Sequence, residues 1–247
     1  MGRALRATLG PVLAWGILAP IQADADYAGD AAATGVTVSG RVIFVGTVPK
    51  RAKTLPVTRD PDFCGTTMPN ESLVLDGASR AVAGVVVSLD GIAKGKPLPV
   101  DQTLTLDNRA CRFHPRISAI GTGSVLEIRN ADPIMHNTRI HKESRFGPDF
   151  KNVVQPAGAK AIQKPLHEPG MLDIRCNAHP FMYAAIHVFE HPYFAVTDAT
   201  GRFELSQVPP GKYRIKMWHE LLGERETTLT VPAKGPVAVD LELRQED

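Results

Sequence analysis

The run Cys176-Asn177-Ala178-His179-Pro180-Phe181-Met182 limits the fold of this chain more than any other stretch. It carries a thiol, an imidazole and a thioether within one short loop. A second imidazole stands well upstream, in Asn130-Ala131-Asp132-Pro133-Ile134-Met135-His136-Asn137. Groups so far apart in sequence act together only if two rigid segments hold them side by side. Both segments are preceded by strand patterns. Residues 124–130 place Val125, Leu126 and Ile128 for a sandwich interior, and Asp132-Pro133 turns the chain toward His136. Residues 172–176 read as the strand that presents the Cys176 thiolate. Well-packed strands give the rigidity that a preorganised site needs.

Taken singly, each of these residues has an ordinary reading. A lone Cys is most often a small buried hydrophobe, and a Met near an aromatic ring usually belongs to the core. Taken together, two His and one Cys in a trigonal set, with a weak axial Met, form the ligand chemistry of an electron-transfer copper site. Zinc is the chief competitor for Cys and His, and the thioether argues against it.

The two segments resemble the ligand motifs of the blue copper proteins, or cupredoxins. The Cys-x-x-His-Pro-x-Met spacing is similar to that of amicyanin, and shorter than the corresponding interval of plastocyanin. The resemblance covers residues 85–190. It implies a Greek-key β-sandwich holding one copper ion that cycles between Cu(I) and Cu(II), with His136, Cys176, His179 and Met182 as ligands. It implies that Asn137, directly after the first His, braces the ligand loop. It further implies that His179 lies exposed and, with Pro180 and Phe181, forms the surface through which electrons pass. Transient redox partners of the cytochrome c or periplasmic dehydrogenase class follow by the same analogy. The chain departs from the family after Met182, where Tyr183-Ala184-Ala185 replaces the usual glycine turn.

The rest of the chain is read around this core. Residues 1–25 have the form of a secretory signal: Arg3 and Arg6, an apolar run too short to span a membrane, and Ala23-Asp24-Ala25 as a cleavage site. Export to the periplasm is the expected consequence. The three cysteines are an odd number. In an oxidising compartment Cys64 and Cys111 can pair while Cys176 stays a metal thiolate. The 21 Gly and 20 Pro punctuate short apolar or alternating runs at 36–45, 82–89, 102–107, 124–130, 172–176 and 185–189, so the chain is all-β. Residues 56–80 read as irregular, tied down by the disulfide. A net charge of +2 gives no reason to expect nucleic acid.

The style changes after Pro192. Tyr213, Ile215 and Met217 alternate with Lys212, Arg214 and Lys216, as do Val237, Val239, Leu241 and Leu243 with polar partners. Thr197-Asp198-x-x-Gly201-x-Phe203 and Pro209-Pro210-Gly211-x-Tyr213 resemble the small transthyretin-like β-sandwich of carboxypeptidase regulatory-like domains. The expected division is a copper-binding unit over 36–190, with its core at 85–190 and an irregular extension at 36–84, and a second, smaller sandwich over 191–247. The strand at 36–49 is an alternative member of the second sandwich. Of the other histidines, His114, His141, His187, His191 and His219 show no ligand spacing with an obvious carboxylate. His187 alternates with Ile186 and Val188 and should face outward.

The expected function is a periplasmic type 1 copper protein that carries single electrons and is not an enzyme. Copper oxidases and nitrite reductases need a further centre reached through a His-Cys-His run, and Cys176 stands between Arg175 and Asn177. The alternative is a copper-binding module for storage, delivery or resistance with the same ligands.

Overall fold

A computed structural model describes residues 27–245. The signal expected at residues 1–25 lies outside the described residues. Among the described residues the protein is all-β apart from the four-residue helix Pro61–Cys64, and no helix is long and apolar enough to cross a membrane.

Two sandwiches share the chain. In the first, a four-stranded sheet runs Ile162–Leu166, Ser124–Asn130, Thr103–Arg109, Arg112–His114. It faces a five-stranded sheet in the order Asp149–Gln155, His136–Lys142, Gly170–Arg175, Tyr183–Phe189, Ile117–Gly121. Their inner faces meet in one core that includes Leu106, Leu126, Ile128, Ile140, Ile174 and Ile186. The period of two explains the register: Leu126 and Ile128 are fully buried, whereas Val125 lies on the other face, only half-buried. Full burial of a Leu or Ile side chain contributes about 2 kcal/mol.

In the second sandwich, Phe194–Val196, Val86–Asp90, Gly211–His219 and Gly223–Val231 form one sheet. Val36–Phe44 forms the other with Arg202–Val208, Val237–Ala238 and Leu241–Leu243. Its separate core gathers Val38, Phe44, Val87, Leu89, Phe203, Ile215 and Leu241. The two motifs quoted above have plain physical roles here. Gly201 sits at φ 71°, and a Cβ on it would lie 2.5 Å from the Ala81 Cβ. Asp198 Oδ1 accepts from the backbone N–H groups of Thr200 and Arg202 and so closes that turn. Tyr213 donates from its hydroxyl to Pro209 O at 3.1 Å, with its ring packed over Gly211.

The division expected from the sequence is therefore corrected. Val86–Asp90, placed with the copper-binding core, pairs instead with Phe194–Val196 and Gly211–His219. Val36–Phe44 pairs with Arg202–Val208, which is the alternative raised for that strand. The first sandwich is thus inserted within the second. Val86 to Leu89 are all buried, so their pattern marks an interior strand without saying which sheet holds it.

Between the strands at 36–44 and 86–90 the chain forms an arm. Thr54–Pro56 pairs with Thr67–Pro69, the helix Pro61–Cys64 lies between them, and Cys64 is joined to Cys111 of the first sandwich. The segment expected to be irregular is so for most of its length, with one short strand pairing and the helix within it, and it is held by the expected disulfide.

Candidate metal centre

His136 opens the strand His136–Lys142, and Cys176 follows the last residue of Gly170–Arg175. These strands run antiparallel, with Arg139 opposite Arg175 and Ile140 opposite Ile174. The pairing brings the His136 end of one strand to the Cys176 end of the other. From there the loop turns, with the Met182 N–H donating to His179 O at 2.9 Å, and enters the strand Tyr183–Phe189. Tyr183 begins that strand directly, with no glycine turn before it. Its ring lies between the guanidinium groups of Arg116 and Arg175, at 5.1 and 4.7 Å.

The structure brings His136, Cys176 and His179 together. One donor atom from each lies within 4.8 Å of the others. Cys176 Sγ is 3.6 Å from His179 Nδ1, and the two imidazole rings are 4.8 Å apart. His136 and His179 are fully buried and Cys176 nearly so; Met182 is buried in the same apolar cluster as the cysteine. Asn137 ties the halves of the site together: its N–H points at Cys176 Sγ at 3.4 Å, and its Oδ1 accepts from the Asn177 N–H at 3.3 Å.

Each histidine is oriented by a carboxylate. His136 Nε2 is 2.8 Å from Asp132 Oδ2, and His179 Nε2 is 3.0 Å from Asp60 Oδ2. A carboxylate acceptor assigns the ring proton to Nε2 and leaves the Nδ1 lone pair free. His136 Nδ1 is buried and has no hydrogen-bond partner in the protein. Burial, and then the neighbouring His136, push the His179 imidazole toward its neutral form; Asp60 pulls the other way. Two imidazoles whose Nε2 atoms face carboxylates, a thiol and a buried thioether suit a soft or borderline metal ion, and copper best of these. The paired carboxylates are the outer partners that metal-bound histidines commonly have.

Asp132 itself is held firmly. The hairpin joining Thr103–Arg109 to Arg112–His114 turns through Ala110 and Cys111, both at positive φ (51° and 56°). Their amides point at one carboxylate, with Ala110 N–H 2.7 Å and Cys111 N–H 2.9 Å from its oxygens.

Neither carboxylate carries a sequence signal of this role. Asp132, four residues before His136, reads as a turn residue in Asp132-Pro133. Asp60 lies 119 residues from His179 and left no local signal.

Two expectations are corrected. His179 is not the exposed portal: it has no exposed surface, because the Asp60 arm covers its outer edge. Pro180 is exposed and Phe181 half-buried, its ring 5.7 Å from that of His179. His187 does not face solvent either. It is half-buried, and its ring lies 4.5 Å from that of Trp218 in the second sandwich.

None of His114, His141, His187, His191 and His219 enters a donor cluster among the described residues. His141 Nδ1 faces Gly147 O and Asp149, while His191 and His219 each accept a backbone N–H two residues on. The one other cluster overlaps the first and uses Cys111, which is spent in the disulfide.

No protein-family profile matches the chain, and no curated protein does. Among solved structures it is similar to a copper-containing nitrite reductase from Thermus scotoductus SA-01, at 24% identity over 41% of this chain with a TM-score of 0.30. The chain spans 25% of that protein's length. It is also similar to amicyanin from Paracoccus versutus, at 22% identity over 37% of this chain and 84% of that one, with a TM-score of 0.31. A reduced-state amicyanin mutant is similar at 17% identity over 37% and 96%, also with a TM-score of 0.31.

Proposed function

We propose that this chain is a periplasmic copper protein that carries single electrons between transient partners. One observation carries the reading: both histidines are fixed through Nε2 by buried or half-buried carboxylates, His179 Nδ1 faces the Cys176 thiol, and the buried His136 Nδ1 has no hydrogen-bond partner among the described residues. A buried, unpaired ring nitrogen is costly unless something occupies it.

When bound, copper supplies a one-electron couple with little change of coordination. The chain's own residues do the rest. His136, Cys176 and His179 would hold the ion, and the Met182 thioether, buried in the same cluster, would be a further and weaker donor. Asn137 and the two carboxylates keep these side chains from rearranging between charge states. The apolar cluster around Cys176 and Met182 excludes water. Partners of the cytochrome c or periplasmic dehydrogenase class remain the proposed donors and acceptors.

The cover over His179 favours a second reading, in which the site stores copper and exchanges no electrons through this edge. A visible spectrum of the Cu(II)-loaded protein beside Cys176→Ser separates these from zinc. An intense red-region band, absent in the variant, establishes thiolate-bound copper. Rapid bleaching by reduced cytochrome c supports the carrier. A band that bleaches only with small reductants supports storage, and a colourless metal-bound protein removes copper.

A further inference from the structure

The two carboxylates are not independent. Asp60 belongs to the arm, at the start of the helix Pro61–Cys64, and its backbone carbonyl accepts from the N–H groups of Phe63 and Cys64. Cys64 is covalently joined to Cys111. The Cys111 N–H donates to Asp132, which in turn holds His136. A short covalent and hydrogen-bonded path therefore runs from His179 through Asp60, Cys64, Cys111 and Asp132 to His136. The path closes through Asn137 and Cys176, whose sulfur faces both Asn137 N–H and His179 Nδ1. Every member of the donor cluster lies on that ring.

We infer that Asp60 is the positioning residue of His179, and that the Cys64–Cys111 disulfide is what delivers it. Three observations carry this beyond a chance surface contact. His179 is fully buried, and Asp60 meets its outer nitrogen at 3.0 Å. Asp60 is the N-cap of the helix Pro61–Cys64, yet its side chain makes no capping hydrogen bond there and its carboxylate goes to His179 instead. The arm's paired strands, Thr54–Pro56 and Thr67–Pro69, are three residues each; Glu71 of the arm meets Arg112 of the first sandwich at 2.8 Å, and the bond from Cys64 to Cys111 is the covalent tie nearest Asp60. The arm thus locks the histidine that an open ligand loop would leave free to swing. It closes that edge to solvent and to partners.

The inference concerns the copper site proposed above, and its test separates the two. The full chain is prepared as wild type, Asp60→Ala, Asp60→Asn, Asp60→Glu, and the double variant Cys64→Ser/Cys111→Ser. Folding is checked by far-ultraviolet circular dichroism. Two readouts follow: the rate at which Cu(I) passes to excess bicinchoninate, and the His179 Nε2–H signal in nitrogen-15 NMR of the metal-free protein.

Asp60→Ala should release Cu(I) at least tenfold faster and lose the protected Nε2–H signal. Asp60→Asn, whose amide oxygen can still accept, should fall between it and wild type. The double cysteine variant should match Asp60→Ala, and adding Asp60→Ala to it should change little, because both act on one contact. Folded variants with wild-type release rates and an intact Nε2–H signal overturn the inference. Should the wild type hold no copper, the copper reading fails by itself. The NMR signal of the metal-free protein then decides whether Asp60 holds His179.

Discussion

Arg116 reaches from the first sandwich onto Glu220 of the second, with Nη2 2.7 and 2.6 Å from the two carboxylate oxygens and Nε 3.0 Å from one of them. Their side chains are only 25% and 12% exposed. Burial raises the Glu220 pKa, and Arg116 opposes that rise. Arg116→Met leaves a carboxylate in a dry interface and should cost about 3 kcal/mol; Glu220→Gln should cost less. The loss in Arg116→Met should grow with rising pH, because the folded chain then holds the Glu220 proton more tightly than the unfolded chain does. Urea midpoints at pH 5.5 and 8 check this, and pH-independent losses would refute it.

Asp132→Ala removes the acceptor for His136 Nε2 and for two backbone amides at once. Leaving these groups unpaired should destabilise the metal-free protein by about 3 kcal/mol. It should also weaken Cu(I) affinity by tenfold or more, since outer partners of metal-bound histidines commonly matter that much. Chelator competition and chemical denaturation measure the two effects separately.

Gly201→Ala should destabilise the second sandwich by about 2 kcal/mol, because the new Cβ meets Ala81 and the backbone there has φ 71°. The Cu(II) spectrum should stay unchanged, since that turn lies outside the donor cluster. A spectral change in this variant would mean that the two sandwiches are coupled more tightly than their contacts suggest.

His187 gives a pH dependence of definite sign. Burial against Trp218 and Phe189 lowers its pKa from 6.5 to about 4. Between those values the unfolded chain binds a proton that the folded chain does not, so stability rises with pH there and falls on acidification. The loss from pH 7 to pH 4 is on the order of 3 kcal/mol for this residue. His219, lowered to about 4 mainly by burial, adds a loss of the same sign. Urea unfolding of the metal-free protein at several pH values should show a shallower slope for His187→Phe than for wild type.

Much of this was legible in the chain. The donor run fixed which residues could meet, and alternation in 124–130 and 172–176 found the strands that bring them together. The unpaired third cysteine pointed to the bond between the other two. What escaped did so for physical reasons. Val86–Asp90 is buried on both faces, so its pattern cannot tell one sheet from another. Asp60 acts across 119 residues through a disulfide, and no local pattern records such a contact. The exposure expected of His179 rested on the resemblance of the ligand motif alone, and the Asp60 arm is what buries it. His187 alternates correctly, yet its outer face is the seam between two sandwiches.

The nesting of one sandwich inside the other sets an order in time. Val86–Asp90 is synthesised before the inner sandwich, and its partners Phe194–Val196 and Gly211–His219 come after it. During synthesis the inner sandwich can complete itself while that apolar strand still waits with both edges open. A premature stop between residues 190 and 194 makes the wait permanent. It leaves the donor cluster attached to a sticky, half-built neighbour.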